Sequence, residues 1–179
     1  FEVDGIVYVP VNPSARTCDA ISCSYDSTAT SISIDETVSY KGIAMSVENV
    51  MPYTAYRQTS VKRLSLSPKS DIGDYAFYGC TGITNATISN DGNIGANAFY
   101  GCTGITNATI SNEGSIGTSA FEGAMTSANV TLNVTNKGDI YNRAFYGCTG
   151  ITNATISNEG SIGANAFYGC TGITNATIS

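Results

Sequence analysis

Histidine and tryptophan are absent from the 179-residue chain. Without histidine the commonest general base and the commonest metal ligand are missing, and every Ser–His or Cys–His nucleophile arrangement is excluded. Charge is scarce too: Asp, Glu, Lys and Arg together make up 12% of residues, about half the usual share. The surface must therefore be built largely from Ser, Thr, Asn and Gly. Basic residues number 8 against 14 acidic ones, for a net charge of −6. A phosphate backbone needs clustered Lys and Arg, so no nucleic acid is expected as a partner. The same charge disfavours docking on anionic membranes. No apolar run approaches the roughly 18 residues of a membrane span, so no membrane insertion is expected within this fragment. There is no signal peptide, but the chain opens at Phe1 and reads as a mature or trimmed fragment.

What is present is a repeat. Hydrophobic residues make up 42% of the chain, enough for a real core. The string AFYGCTGITNATIS starts at Ala76, Ala98, Ala144 and Ala166. The first two copies lie 22 residues apart, and so do the last two. Between them a divergent copy begins at Ala120-Phe121-Glu122-Gly123-Ala124, and its strand carries a two-residue insertion. An eroded copy, Ala55-Tyr56-Arg57-Gln58-Thr59, precedes them, and the last stops in mid-repeat at Ser179. That is about six copies over residues 51–179.

Within a copy, Ile83, Ala86 and Ile88 follow the leucine-rich-repeat spacing L-x-x-L-x-L. Alternation about Thr87 predicts a strand with one face buried. Asn90-Asp91-Gly92 reads as a turn, and Ile94 re-enters the core. Ala98 and Cys102, at i and i+4, predict one short helical or 3₁₀ turn, and Gly104 is expected to supply a hinge with positive φ. One repeat cannot bury its own apolar face, so the copies must stack, with Phe77, Phe99, Phe121, Phe145 and Phe167 forming a buried ladder. The expected fold is a mainly β repeat solenoid, leucine-rich-repeat-like.

The run Ile94-Gly95-Ala96-Asn97-Ala98-Phe99-Tyr100-Gly101-Cys102, followed by Ile105, Ala108 and Ile110, resembles the BspA-type leucine-rich repeats of microbial cell-surface proteins. The resemblance covers Met51 to Ser179, with Ala in the middle apolar slot and Thr59 and Ala124 standing for Cys in two rungs. It implies export, a place outside or on the cell surface, and attachment to host or neighbouring-cell proteins.

Residues 1–50 do not repeat. Phe1–Val9 reads as a hairpin turning at Asp4-Gly5, and Thr37–Val47 as a second turning at Lys41-Gly42. They are expected to form an N-terminal β-hairpin cap over the open end of the solenoid. The F-x-x-D-G-I-x-Y opening also resembles the family.

Candidate chemistry is thin. Cys80, Cys102, Cys148 and Cys170 share one repeat position; a ladder spreads their sulfurs along the axis, which excludes a four-Cys zinc site and makes them small buried residues. Cys18 and Cys23 lie outside the repeats, and in an exported protein a local disulfide between them is expected. The Asn-x-Thr sequons at Asn85, Asn107, Asn129, Asn133, Asn153 and Asn175 fall in closely stacked strands, and read as Asn and Thr ladders rather than glycan acceptors. Asp91, Glu113 and Glu159 form an acidic edge interrupted by Lys137, which reads as solvated turns rather than a calcium site. Tyr78, Tyr100, Tyr146 and Tyr168 form a stripe, either packed on the convex side or open to a partner.

No metal or cofactor and no catalytic residue is expected. A glycosidase needs two placed carboxylates, and the acids here stand one per turn along an edge. The expected function is a non-enzymatic adhesion or binding module for an extracellular protein or glycan. The alternative is a structural spacer holding other domains away from the cell. Side-chain alternation places the binding face at Asn85, Thr87 and Ser89; Asn107, Thr109 and Ser111; Asn129, Thr131 and Asn133; and Asn153, Thr155 and Ser157. The uncapped C-terminal rung, with Ile173 and Ile178, is expected to favour further repeats or end-to-end self-association.

Overall fold

The computed structural model describes residues 1–23 and 30–179. Strands β1 (Glu2–Val3), β2 (Ile6–Asn12), β3 (Thr17–Cys23), β4 (Ser31–Ile34), β5 (Thr37–Tyr40) and β6 (Ile43–Val50) occupy the front of the chain. The repeats supply β7 (Arg63–Leu66), β8 (Asn85–Asn90), β9 (Asn107–Asn112), β10 (Val130–Asn136), β11 (Ile151–Asn158) and β12 (Asn175–Ile178). The repeat strands pair in parallel in the order β12-β11-β10-β9-β8-β7, and β4 from the front segment closes that sheet. The remaining front strands form a second sheet, β1-β2-β3-β6-β5.

The two front turns form where Asp-Gly and Lys-Gly stand. Asp4 and Gly5 have φ of 50° and 79°, and Lys41 and Gly42 have 51° and 77°, the double positive φ that a two-residue hairpin requires. The front sheet then passes into the solenoid through Val50, which bridges Ile72. Ile72, Ile94, Ile116, Ile140 and Ile162 continue that bridge in parallel from rung to rung, forming a second, one-residue-wide ladder behind the main sheet.

Between the two ladders lies the core. Phe77, Phe99, Phe121 and Phe145 are fully buried, and Phe167 packs partly buried at the end. Consecutive rings sit 4.8–5.2 Å apart with planes tilted by only 4–5°. Parallel rings at that separation are offset-stacked, the geometry their quadrupoles favour. This spacing is the axial period of the solenoid.

Where a helical turn was expected the chain makes overlapping β-turns. Ala98, Tyr100 and Cys102 donate their N–H to Gly95, Asn97 and Phe99, three residues back. The alternate amides, Asn97, Phe99 and Gly101, instead donate to Thr118, Ala120 and Glu122 of the next rung. A helix would need all of them for itself. Positive φ at Asn97 (55°) and Gly101 (67°) turns every second N–H outward to the neighbour.

Gly104 has no positive φ; that role belongs to Gly101. Gly104 is required by crowding, because a Cβ there would collide with the carbonyl oxygen of Thr81 on the previous rung. The eroded rung also shifts by one residue. Ala55 donates to Ala76 as Phe77 donates to Ala98, so Ala55 occupies the Phe lane and Gln58, not Thr59, the Cys lane.

The expected Cys18–Cys23 disulfide does not form: both cysteines are free. They lie on one extended strand, β3. Five residues of strand separate their Cα atoms by about 16 Å, far beyond the roughly 7 Å a disulfide spans. Cys18 is buried and its thiol faces the carbonyl oxygen of Ser46 at 3.6 Å.

Candidate binding face

The outward side of the main sheet is set by strand alternation. In β8 and β9, Ala86, Ile88, Ala108 and Ile110 point inward, so Asn85, Thr87, Ser89, Asn107, Thr109 and Ser111 are exposed. β11 repeats the pattern with Asn153, Thr155 and Ser157, and β12 continues it with Asn175 and Thr177.

The divergent rung needs a correction. Asn129 is not on the face; it precedes β10, exposed, with φ of 63°. The insertion displaces the register, so Thr131 lies beside Asn107, Asn133 beside Thr109 and Thr135 beside Ser111. The amide and hydroxyl lanes therefore exchange places in this one rung. Each rung from β8 to β11 still presents one Asn amide and two hydroxyls. Across β8–β12 the face carries no charged side chain; the first is Arg63 on β7.

Part of the face is satisfied internally. Asn107 Nδ2 donates to Asn85 Oδ1 at 3.3 Å, and Asn175 Nδ2 to Asn153 Oδ1 at 3.0 Å. Thr106 and Thr174 hydroxyls donate to the carbonyls of Thr84 and Thr152 at 3.1 Å. Thr131 interrupts the outer Asn row.

A second asparagine ladder runs inside. Asn90, Asn112 and Asn136 are each 1% exposed. Asn90 Nδ2 donates to Asn112 Oδ1 (3.0 Å), Asn112 to Asn136 (2.7 Å) and Asn136 to Asn158 (2.7 Å). Asn112, Asn136 and Asn158 also reach the carbonyls of Gly114, Gly138 and Gly160. Sequence reasoning placed Asn90 in a turn and missed this ladder. The signal was an Asn recurring directly before each Asp/Glu/Lys-Gly pair. The ladder starts at Asn90 Oδ1, a buried acceptor with no partner, because the preceding rung has Pro68 there.

On the opposite edge the tyrosines stack in rows. Tyr56, Tyr78 and Tyr100 lie 5.2 and 5.0 Å apart, with Tyr53 and Tyr75 alongside at 5.3 Å. Tyr53 and Tyr56 are exposed at the start of the rows, and Tyr75, Tyr78 and Tyr100 are half-buried within them. Glu122 interrupts the row before Tyr146 and Tyr168. Arg143 closes the gap: Nη2 and Nε bind Glu122 at 2.6 and 3.0 Å, and its guanidinium lies 4.1 Å from the Tyr146 ring centre. Burial pushes the Glu122 carboxyl up, but hydrogen bonds from Arg143 and Ser119 and the Arg143 charge outweigh it and hold the group below its ordinary value. Lys137 pairs with Glu113 at 2.5 Å on the acidic edge.

The lane cysteines point inward. Cys80, Cys102, Cys148 and Cys170 donate their thiols to the carbonyls of Ala55, Phe77, Phe121 and Phe145 at 3.0–3.1 Å. The Cys102 and Cys148 thiols are held well above the usual range by hydrogen bonds to Cys80 and Cys170 and by burial.

Solved structures share this architecture. A leucine-rich-repeat protein of T. pallidum matches with a TM-score of 0.58 at 15% identity, over 97% of this chain and 90% of its own. A leucine-rich cell-surface protein of Faecalibacterium prausnitzii matches with a TM-score of 0.59 at 17% identity. This chain is covered over 99% of its length there but spans only 54% of that protein. No curated protein matches the sequence. Among the described residues no helix is long and apolar enough to cross a membrane. The model of the BspA-type leucine-rich-repeat region fits six copies across residues 48–174, and the chain belongs to that family.

Proposed function

We propose that the chain is a non-enzymatic binding module displayed outside the cell, which presents the outer side of its main sheet to an extracellular protein or glycan. The observation that carries this reading is the uncharged face itself: an amide and two hydroxyls per rung on flat, parallel strands, held in place by a stacked core. A repeat protein offers a long surface rather than a cleft, and this one is all donors and acceptors. The surface location draws support from the F. prausnitzii relative, described as a cell-surface protein.

The test is capture of extracellular-matrix proteins and polysaccharides by the chain and by Thr109→Lys and Thr131→Lys. Loss of a validated partner with the fold intact supports the face. Normal binding by both variants overturns the face and moves the binding surface to the Tyr stripe or the front segment; capture of no partner at all leaves the spacer role.

A further inference from the structure

The face has a period, and the period selects a ligand. Successive rungs repeat every 4.8–5.2 Å, as the ring stack inside them does. An extended peptide laid along the axis advances about 3.3–3.4 Å per residue and falls out of phase with the rungs almost at once. An extended, β-linked polysaccharide, with alternate rings turned over, advances by about one rung per sugar ring and stays in phase over several rungs. Helical α-linked chains do not run straight enough to do so.

Chemistry points the same way. Sugar hydroxyls need both donors and acceptors, which an Asn amide and a Thr hydroxyl supply together. Among the described residues the Thr87, Thr109 and Thr155 hydroxyls make no hydrogen bond within the chain and are free to meet a ligand. The divergent rung alters its Tyr and Cys positions to Glu122 and Ala124, yet retains one amide and one hydroxyl here by exchanging them as Thr131 and Asn133. The face is neutral and the molecule carries −6, so an acidic polysaccharide is repelled and a neutral one is not.

We propose that the sheet face binds a neutral, extended β-linked glycan lying along the solenoid axis with one sugar per rung. This rests on the binding-face reading above. With no aromatic platform on the face each sugar contributes little, so affinity grows with the number of rungs engaged.

The experiment is calorimetric titration of the full chain with cellotriose, cellohexaose and maltohexaose, repeated on Thr109→Arg and Asn133→Arg, with Tyr78→Ala as a variant of the opposite edge. Circular dichroism verifies that each variant is folded. The expected result is that cellohexaose binds roughly tenfold or more tighter than cellotriose, a gain of about 1.4 kcal/mol or more. Maltohexaose should not match cellohexaose, and either arginine should abolish binding while Tyr78→Ala retains it. Equal affinity for trimer and hexamer, equal affinity for the α-linked hexamer, or binding lost only in Tyr78→Ala would each overturn the proposal. If all three sugars fail while a protein ligand still loses its binding to Thr109→Arg, the glycan assignment falls and the binding face stands. If protein ligands also bind that variant normally, both fall.

Discussion

The middle rung and its near-identical neighbours occupy equivalent places in one solenoid and differ in sequence, which separates what stacking demands from what it tolerates. The middle rung puts Ala124 where the neighbours have Cys102 and Cys148, and Glu122 where they have Tyr100 and Tyr146. It fills the strand core with Leu132 and Val134 beside Ala108 and Ile110. It keeps Phe121 in the ring stack and Asn136 in the inner amide ladder. Positions whose side chain must meet its own kind on both sides are unchanged. Positions that need only volume, or that face outward, are exchanged.

The largest effect should come from breaking the ring stack at that rung. Phe121 touches Phe99 at 4.8 Å and Phe145 at 5.1 Å and is fully buried. Phe121→Ala should cost about 3–5 kcal/mol in chemical denaturation, the usual range for a buried Phe. Phe167 stacks on one neighbour only and is partly exposed, so Phe167→Ala should cost clearly less. Equal losses would mean that the stack does not make the difference between a middle and an end rung.

The two asparagine ladders sharpen the same comparison within a single rung. Asn112→Ala would unpair the Asn90 Nδ2 donor and the Asn136 Oδ1 acceptor, both at the buried end of the strand, while the Gly114 carbonyl would keep the Gly138 N–H. Leaving such groups unsatisfied costs about 1–3 kcal/mol each when fully buried, so a loss of about 2 kcal/mol or more is expected. Asn107→Ala removes the same side chain from the exposed face and should change stability by no more than about 0.5 kcal/mol. A similar loss from both would show that the inner ladder is not insulated from water.

The cysteine lane gives a kinetic form of the contrast. Cys102 and Cys148 are fully buried with thiols held protonated, and a thiol must be both ionised and accessible to react. Cys170 sits partly exposed at the end, and hydrogen bonding to Cys148 lowers its thiol. In the folded chain an alkylating reagent followed by mass spectrometry should mark Cys170 first and leave Cys102 and Cys148 untouched. Cys18 and Cys23, pushed up to about 11 and about 12 by burial, should lag behind Cys170. Early labelling of Cys102 would contradict the packing described above.

The repeat period, the Phe lane and the strand alternation were legible because several copies state them independently. The shape of the turn was not. Ala98 and Cys102 have helical spacing, but the outward amides depend on positive φ at Asn97, and the equivalent residues Tyr75 and Arg143 adopt it too, although their side chains do not favour it. The register of the middle strand was misread because Asn129-Val130-Thr131 imitates Asn-Ala-Thr, and only the pairing of Thr131 with Asn107 reveals the shift. The inner ladder was hidden because a buried Asn before Asp-Gly has the composition of a turn. The disulfide was misjudged because closeness in sequence is the opposite of closeness in space along a strand.

A smaller effect than either the ring stack or the inner amide ladder should come from Glu122, which stands where the neighbouring rungs have tyrosine. Glu122 is 13% exposed and Arg143 47%, so their bidentate pair is open to solvent on one side and its Coulomb term is screened. Because the folded carboxyl titrates below its unfolded value, the stability it contributes is present above the unfolded carboxylate range and disappears as pH falls through the folded value. Glu122→Gln should therefore lower stability near neutral pH by less than any substitution above except Asn107→Ala, with the gap to the unmodified chain closing on acidification and narrowing in high salt. Glu122→Tyr would restore the tyrosine of the neighbouring rungs but strip Arg143 of its carboxylate. Denaturant midpoints measured across the acid range read both. A gap that widens on acidification would show that the carboxyl is held neutral rather than ionised, and that Arg143 is anchored by the Tyr146 ring alone.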